Sequence, residues 1–171
     1  MRQESGVALS EQRLSWAVPL IVATGMFMEN LDSTIISTSI PEIARSLHEN
    51  PLRLNLALTS YLLSLVIFVP ISGWVADRFG ARNVFVGAMI VFTAGSIACG
   101  LSQNLEQLVI SRSLQGIGGA MMTPVGRLIL LRSVPKAHLL TAMSYLTIPS
   151  QIGAIAGPLL GGALTTYVSW R

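Results

Sequence analysis

The sequence predicts an all-α integral membrane protein with five transmembrane helices. Of its 171 residues, 51% are hydrophobic and only 11% are charged, whereas about a quarter of the residues in a soluble domain are charged. Polar stretches also divide the chain into five apolar runs, each near the roughly 20 residues that cross a bilayer. The predicted spans are Leu14–Ile40, Leu54–Val75, Val84–Leu101, Leu105–Leu131 and Leu139–Val168.

The first span follows a polar N-terminal stretch, which we assign to a cytoplasmic tail of residues 1–13, with residues 14–171 as the membrane domain. A secretory signal peptide is the alternative for this first apolar run. It is rejected because no small-residue cleavage site follows the run. The run leads instead into Glu29 and Asp32, so we interpret it as a transmembrane span.

The loops between spans are short, so successive spans are expected to be antiparallel, and the basic residues set their orientation. One side carries Arg2, Arg13, Arg78, Arg82, Arg127, Arg132 and Lys136. The other side carries Arg45, Arg53 and Arg171. Because cytoplasmic loops are enriched in Lys and Arg, this asymmetry predicts a cytoplasmic N-terminus in the plasma or inner membrane.

The second and third spans are joined by a charged turn that contains Gly73, Asp77, Arg78, Gly80 and Arg82. Enrichment of basic residues on the cytoplasmic side accounts for the two arginines. It does not account for Asp77, which lies at the end of a helix where the helix dipole disfavours negative charge. We therefore expect Asp77 to pair with arginines or with the N-terminus of another helix.

Three charged side chains lie more than five residues from either end of a predicted span, and each costs about 2.5–3.5 kcal/mol at mid-helix. They are Glu29 and Asp32 in the first span and Arg112 in the fourth. At roughly 1.5 Å per residue, Asp32 lies about 13 Å and Arg112 about 10 Å from the outer ends of their spans. The shared level predicts an ion pair if the two helices touch, and Gln115, one turn further along the same face, is expected to complete its network.

The role of this pair is open at the level of residues alone. A static ion pair that fixes helix packing is one interpretation. The other is proton coupling, which needs an acid that gains and loses a proton beside an arginine. Glu29 is equally open, because it either lines the same cavity as Asp32 or forms a local hydrogen bond.

The fifth span carries a stripe of small residues. Gly153, Gly157 and Gly161 recur every four residues, so they share one helix face, and Gly162 follows them. Such stripes let two helix backbones approach closely inside a bilayer. Pro158 removes one backbone N–H within the stripe and is expected to bend the helix. These features indicate a helix that rocks against a neighbour.

Four segments resemble motifs of the major facilitator superfamily, and specifically of its fourteen-helix drug–proton antiporter branch. In order, the segments 31–41, 73–82, 112–119 and 153–162 are similar to the first-helix motif, the loop between helices two and three, the fourth-helix motif and the fifth-helix antiporter motif. The resemblance covers the chain from Leu14 onward. It implies that the five helices correspond to most of the first six-helix bundle of such a transporter.

The resemblance implies proton-coupled efflux of multiple drugs or other amphipathic organic compounds. The proton-coupling and substrate region would contain Asp32, Arg112, Gln115 and Glu29. The cytoplasmic latch loop would contain Gly73, Asp77, Arg78, Gly80 and Arg82. The gating motif that favours exchange over uniport would contain Gly153, Gly157, Pro158, Gly161 and Gly162.

The chain departs from the family pattern at three positions and in length. Ser37 and Ser39 stand where the first-helix motif usually has asparagine and alanine, and Ala81 stands where the loop usually has a basic residue. Transporters of this family bind substrate between two bundles, of which this sequence contains five helices of the first. Substrate and protons are therefore expected partners only if a second bundle completes the site. The alternative is a truncated, non-transporting membrane protein that needs a partner half.

Other functional classes lack support in the sequence. The single Cys99 provides neither a disulfide framework nor a metal cluster. The basic residues are scattered over short loops, so no nucleic-acid surface is expected. We find no nucleophile–base set and no phosphate loop, so we expect neither an enzyme nor a bound cofactor or metal. The lipid bilayer is the expected partner.

Overall fold

The computed structural model describes the backbone of residues 2–167 and the side chains of residues 17–165. Within that part of the chain the secondary structure is helical and contains no strand, which confirms the all-α prediction. The elements are α1 (Arg2–Leu47), α2 (Pro51–Phe79), α3 (Ala81–Leu101), α4 (Leu105–Ser133), a 3₁₀ turn (Lys136–His138) and α5 (Leu139–Tyr167).

The first four helices extend beyond the predicted apolar spans, because they continue into the polar residues that flank them. The largest difference is at α1, which begins at Arg2 and so includes most of the stretch that we assigned to a tail. The last residue of the fifth predicted span, Val168, lies outside the described residues.

Local sequence signals fix where the middle helices begin. The Asn50 side chain accepts a hydrogen bond from the Leu52 N–H at 2.9 Å, and Pro51 follows at the first helical position. Asn104 caps α4 in the same way, through the Gln107 N–H at 2.9 Å. Side-chain caps of this kind satisfy backbone N–H groups that the first turn of a helix leaves unpaired.

Four stretches are long and apolar enough to cross a membrane: Pro51–Phe79, Ala81–Leu101, Leu105–Ser133 and Lys136–Thr165. The first predicted span does not meet this criterion within its described residues. Within those residues, Glu29, Asn30 and Asp32 lower the mean hydropathy of α1. All three side chains hydrogen-bond to α4 or α5, so this stretch of α1 faces other helices.

The helices pack as two groups. α1 packs mainly on α5, while α4 packs on both α2 and α3 and makes a smaller contact with α1. Many large apolar side chains outside these contacts are exposed, such as Val66 (71%) and Leu159 (74%). Exposed apolar surface of this extent is expected of helices that lipid surrounds.

Small residues bring α5 close to α1. A Cβ atom at Gly153 would lie 2.8 Å from the Phe27 carbonyl oxygen, and one at Gly157 would overlap the Thr34 side chain. At Gly161 it would lie 2.5 Å from Thr38 Oγ1. The glycine stripe therefore forms the α5 side of the α1–α5 interface, where any side chain would separate the two backbones.

We predict that Gly157→Ala destabilises the protein and that the adjacent-turn change Gly162→Ala does not. The first substitution overpacks the α1–α5 interface, and overpacking of this kind typically costs about 1–3 kcal/mol. At Gly162 the added Cβ would meet no atom within 4 Å. Thermal unfolding in detergent, followed by tryptophan fluorescence, measures the difference. Equal melting temperatures for the two variants would contradict the close packing described above.

Candidate functional site

A largely buried ion pair joins α1 to α4. Arg112 Nη1 donates a hydrogen bond to Asp32 Oδ2 at 2.7 Å. The Arg112 side chain is only 3% exposed and the Asp32 side chain 19%. The guanidinium carbon of Arg112 also lies 5.8 Å from the centre of the Tyr61 ring. The structure thus brings together the two charges that the depth estimate places at one level.

A cavity of about 390 Å³ lies beside this pair, between α1, α3 and α4. Asp32 and Arg112 both line it, and most of its remaining wall is apolar, from Met28 and Leu31 to Phe92 and Ile97. A charged pair at the edge of a mostly apolar cavity is a common composition of ligand sites in proteins.

Gln115 does not join this ion pair in the way the sequence suggests. Its side chain is fully buried, but its Oε1 accepts a hydrogen bond from Cys99 Sγ at 3.7 Å. Arg112 Nε and Gln115 Nε2 are both buried without a hydrogen-bond partner. Because an unsatisfied buried donor costs about 1–3 kcal/mol, two of them one turn apart on α4 mark a region that is not optimised for static packing.

Glu29 faces a different cavity from Asp32. Thr123 Oγ1 on α4 donates a hydrogen bond to Glu29 Oε2 at 2.8 Å. The two residues line a cavity of about 500 Å³ between α1, α2 and α4 that also includes Arg127. Neither expectation for Glu29 is met, because it does not share the cavity of Asp32 and its hydrogen bond crosses to another helix. Three residues turn an α-helix by about 300°, enough to place the two acids on different sides of the α1–α4 contact.

The loop between α2 and α3 has an arginine partner for its acid, as predicted, but the arginine comes from α4. Arg132 Nη2 donates to Asp77 Oδ1 at 2.8 Å, and both side chains are more than half exposed. Arg78 instead lies over the rings of Trp74 and Phe79, at 5.8 and 5.9 Å.

Two glycines and the second arginine complete the predicted loop motif. Gly80 has φ = 85°, the left-handed region that favours glycine, and it separates the end of α2 from the start of α3. Gly73 and Arg82 are exposed, and a Cβ at Gly73 would meet no atom within 4 Å. Of the two glycines, only Gly80 has a structural requirement visible in this conformation.

The fifth-helix motif divides between two faces of α5. Gly153, Gly157 and Gly161 are buried against α1, whereas Pro158 is exposed on another face. α5 is a single helix through Pro158, and the bend at this residue stays a prediction. A hydrogen bond from Asn30 Nδ2 to Ser150 Oγ at 2.8 Å also joins α1 to α5.

Comparison with known proteins decides the family. The model of the Major Facilitator Superfamily matches residues 22–171. This chain belongs to the major facilitator superfamily. The resemblance seen in its four motifs is confirmed, and the chain is part of an integral membrane protein of this family.

Several relatives within the superfamily are similar over most of the chain. Proteins of Salmonella paratyphi B, Salmonella heidelberg and Salmonella typhimurium, provisionally named multidrug resistance protein MdtD, are each 51% identical over 151 residues. The match covers 88% of this chain and 32% of each relative. The chain therefore spans about a third of the length of these relatives.

Some contacts at the site involve residues that the sequence analysis did not select. They are Tyr61, Thr123, Arg127, Arg132 and Ser150. Thr123 and Arg127 lie four residues apart on α4, which places them on one helix face. That spacing could have indicated that Thr123 and Arg127 line one site, whereas the sequence analysis uses Arg127 only as one of the basic residues on the cytoplasmic side.

We predict that Asp32→Asn destabilises the protein far more than Asp77→Asn, although each change removes one salt bridge. Asp32→Asn leaves the buried Arg112 without its counter-charge, and breaking a buried pair typically costs about 3–5 kcal/mol. The exposed Asp77–Arg132 pair is worth about 0–1 kcal/mol. Thermal unfolding of both variants in the same detergent tests this. A larger loss for Asp77→Asn would show that the buried pair contributes little to the bundle.

Proposed function

We propose that this chain is the N-terminal part of a proton-coupled efflux antiporter for amphipathic organic compounds, of the drug–proton antiporter branch. Residues 14–171 form most of its first bundle, residues 1–13 lie in the cytoplasm, and the protein resides in the cell membrane. The observation that carries this proposal is the Asp32–Arg112 pair, buried between α1 and α4 beside a cavity.

The asymmetry of this pair supports proton coupling over a purely static role. Arg112 is almost completely buried, whereas Asp32 keeps 19% of its side-chain surface exposed and lines the cavity. A proton can therefore reach the acid without exposing the base. Protonation removes the charge of Asp32 and weakens its attraction to Arg112, so proton occupancy changes the force between α1 and α4.

Unsatisfied donors beside the pair support a binding role in the same region. Arg112 Nε and Gln115 Nε2 are oriented donors without acceptors. A pair whose only role is packing would gain by satisfying both groups. In the proposed transporter, Arg112, which lines the cavity, binds an acceptor group in one step of the cycle.

The loop between α2 and α3 supplies a contact that is weak enough to open and close. Gly80 forms the exposed turn, with Gly73 on α2 and Arg82 on α3 to either side of it. Asp77, in the last turn of α2, pairs with Arg132 of α4. Because an exposed pair contributes at most about 1 kcal/mol, a conformational change can break it at little cost. We assign this loop to the cytoplasmic side, as the distribution of basic residues predicts.

The glycine face of α5 supports gating by helices that move together. Gly153, Gly157 and Gly161 bring α5 against α1, and Pro158 and Gly162 lie beside this interface on α5. In this family, transport proceeds by rocking of one bundle against the other around a central site. A closely packed α1–α5 pair can follow such a motion as one body.

We predict that Asp32→Asn abolishes proton-driven efflux in a complete transporter. Such a transporter can be made by fusing this chain to the part of the Salmonella paratyphi B relative that lies outside the match. Everted membrane vesicles under an imposed pH gradient would report uptake of an amphipathic fluorescent dye. We expect at least a tenfold loss, about the effect of removing an essential proton acceptor.

Glu42→Gln is the matched control for this experiment, because Glu42 lies on the same helix in an exposed pair with Arg45. It should leave efflux unchanged, and efflux is compared per amount of inserted protein, measured by immunoblot, because Asp32→Asn also destabilises the bundle. Full efflux by Asp32→Asn would exclude Asp32 from proton coupling. Equal efflux with and without the pH gradient would exclude the antiport mechanism itself.

A further inference from the structure

The second cavity contains two charges of opposite sign in an otherwise mostly apolar wall. Its volume of about 500 Å³ is lined by Glu29, Thr123, Arg127, Leu65, Val69, Gly119 and Pro124. This volume lies within the range of about 300–1,000 Å³ that is typical of small-molecule sites. The cavity is therefore large enough for an organic compound with several rings.

Glu29 and Arg127 do not form a direct ion pair. The ion pairs among the described side chains join Arg45 to Glu42, Arg53 to Glu49, Arg112 to Asp32 and Arg132 to Asp77. Neither Glu29 nor Arg127 belongs to any of these pairs, and Glu29 accepts a hydrogen bond only from the neutral Thr123 hydroxyl. Asp32, by contrast, is already neutralised by Arg112.

Helix geometry places the two charges at different depths in the same cavity. Thr123 holds Glu29, and Arg127 follows Thr123 by four residues on α4. Four residues correspond to a rise of about 6 Å along a helix axis. The side chains of Leu65 and Val69 on α2 line the wall between α2 and α4. The cavity thus combines an acid, a base whose backbone lies about one helical turn from that of Thr123, and apolar wall residues.

A ligand with a single charge would meet only one of these groups favourably. A cation that pairs with Glu29 is repelled by Arg127, and an anion that pairs with Arg127 is repelled by Glu29. Arg127 is exposed at the edge of the cavity, whereas Glu29 is partly buried, and burying the Glu29 charge without a partner is costly. A ligand that carries both charges satisfies both groups at once and matches the potential of the cavity from end to end.

We propose that this cavity binds zwitterionic amphipathic compounds, with the ligand cation at Glu29 and the ligand anion at Arg127. The inference rests on the proposed transport function and names a substrate class for it. Arg127 is the specificity-determining residue in this assignment, because it separates zwitterions from simple organic cations. Thr123 positions Glu29 through its hydroxyl group.

Three probes that share one ring system test the charge assignment. Norfloxacin is a zwitterion near neutral pH, its ethyl ester is a cation, and its N-acetyl derivative is an anion. Binding of each probe to the complete transporter in detergent can be followed by the fluorescence anisotropy of the quinolone ring. The wild type should bind norfloxacin most tightly of the three.

Each variant should weaken binding only of the probes that carry a charge opposite to that of the side chain it removes. Glu29→Gln should weaken binding of norfloxacin and its ethyl ester by about tenfold or more, since bonds to charged groups are among the stronger ones. It should leave the N-acetyl derivative bound as well as before, or better. Arg127→Gln should weaken binding of norfloxacin and the N-acetyl derivative and spare the ester.

Controls separate loss of charge from loss of fold. Glu42→Gln and Arg45→Gln make the same chemical changes in an exposed pair on α1, and both should bind all three probes as the wild type does. Glu29→Asp and Arg127→Lys keep the charges and should preserve the ranking of the three probes.

Equal weakening of all three probes by Glu29→Gln and Arg127→Gln would overturn the inference, because it would indicate general damage to the cavity. Absence of norfloxacin binding to the wild type would also overturn it. In either case, proton-driven efflux of the amphipathic dye would still decide the proposed function separately. If the wild-type transporter shows no proton-driven efflux of the dye, the proposed function is refuted, regardless of how the three quinolone probes bind.

Discussion

The charge of Arg112 is the constraint on which the rest of the bundle depends. A guanidinium that is 3% exposed within an apolar bundle requires a counter-charge within direct reach. Asp32 provides it at 2.7 Å, so α1 and α4 must touch at this level, although α1 packs more extensively on α5, and α4 on α2 and α3. The glycines of α4 make this possible. They let Tyr61 of α2 and Phe92 of α3 approach the α4 backbone, which leaves the remaining face of α4 for α1.

The polar centre of α1 follows from the same constraint. Glu29, Asn30 and Asp32 point to Thr123, Ser150 and Arg112, so three nearby residues bond to two different helices. Successive residues on an α-helix are about 100° apart, which distributes neighbouring polar groups around its circumference. α1 is therefore less apolar than an ordinary membrane span, and its polar residues form specific contacts with the helices around it.

The sequence predicts the features that depend on spacing along one helix. The shared depth of Asp32 and Arg112 and the packing face formed by Gly153, Gly157 and Gly161 both follow from a constant rise and turn per residue. Features that depend on the rotation of one helix relative to another could not be predicted. Whether Glu29 shares a cavity with Asp32 depends on where the α1–α4 contact line falls, and the partner of Gln115 depends on the position of α3. Arg132 as the partner of Asp77 likewise requires knowing that the end of α4 lies beside the end of α2.

The bundle packs as two groups of helices, α1 with α5 and α2 with α3 and α4, and the proposed proton-coupling residue Asp32 lies between them. α1 and α5 are held together by close backbone contact and by the Asn30–Ser150 hydrogen bond, and α2, α3 and α4 form the other closely packed group. The polar contacts at Asp32 and Glu29 join the two groups across the smaller α1–α4 interface, together with apolar side chains of α1 such as Val22 and Ile36. Interfaces stabilised by apolar packing do not respond to a proton, whereas an ion pair does, because protonation removes one of its charges. In the proposed antiporter, a proton on Asp32 therefore acts on the contact between the two groups and leaves the packing inside each group unchanged.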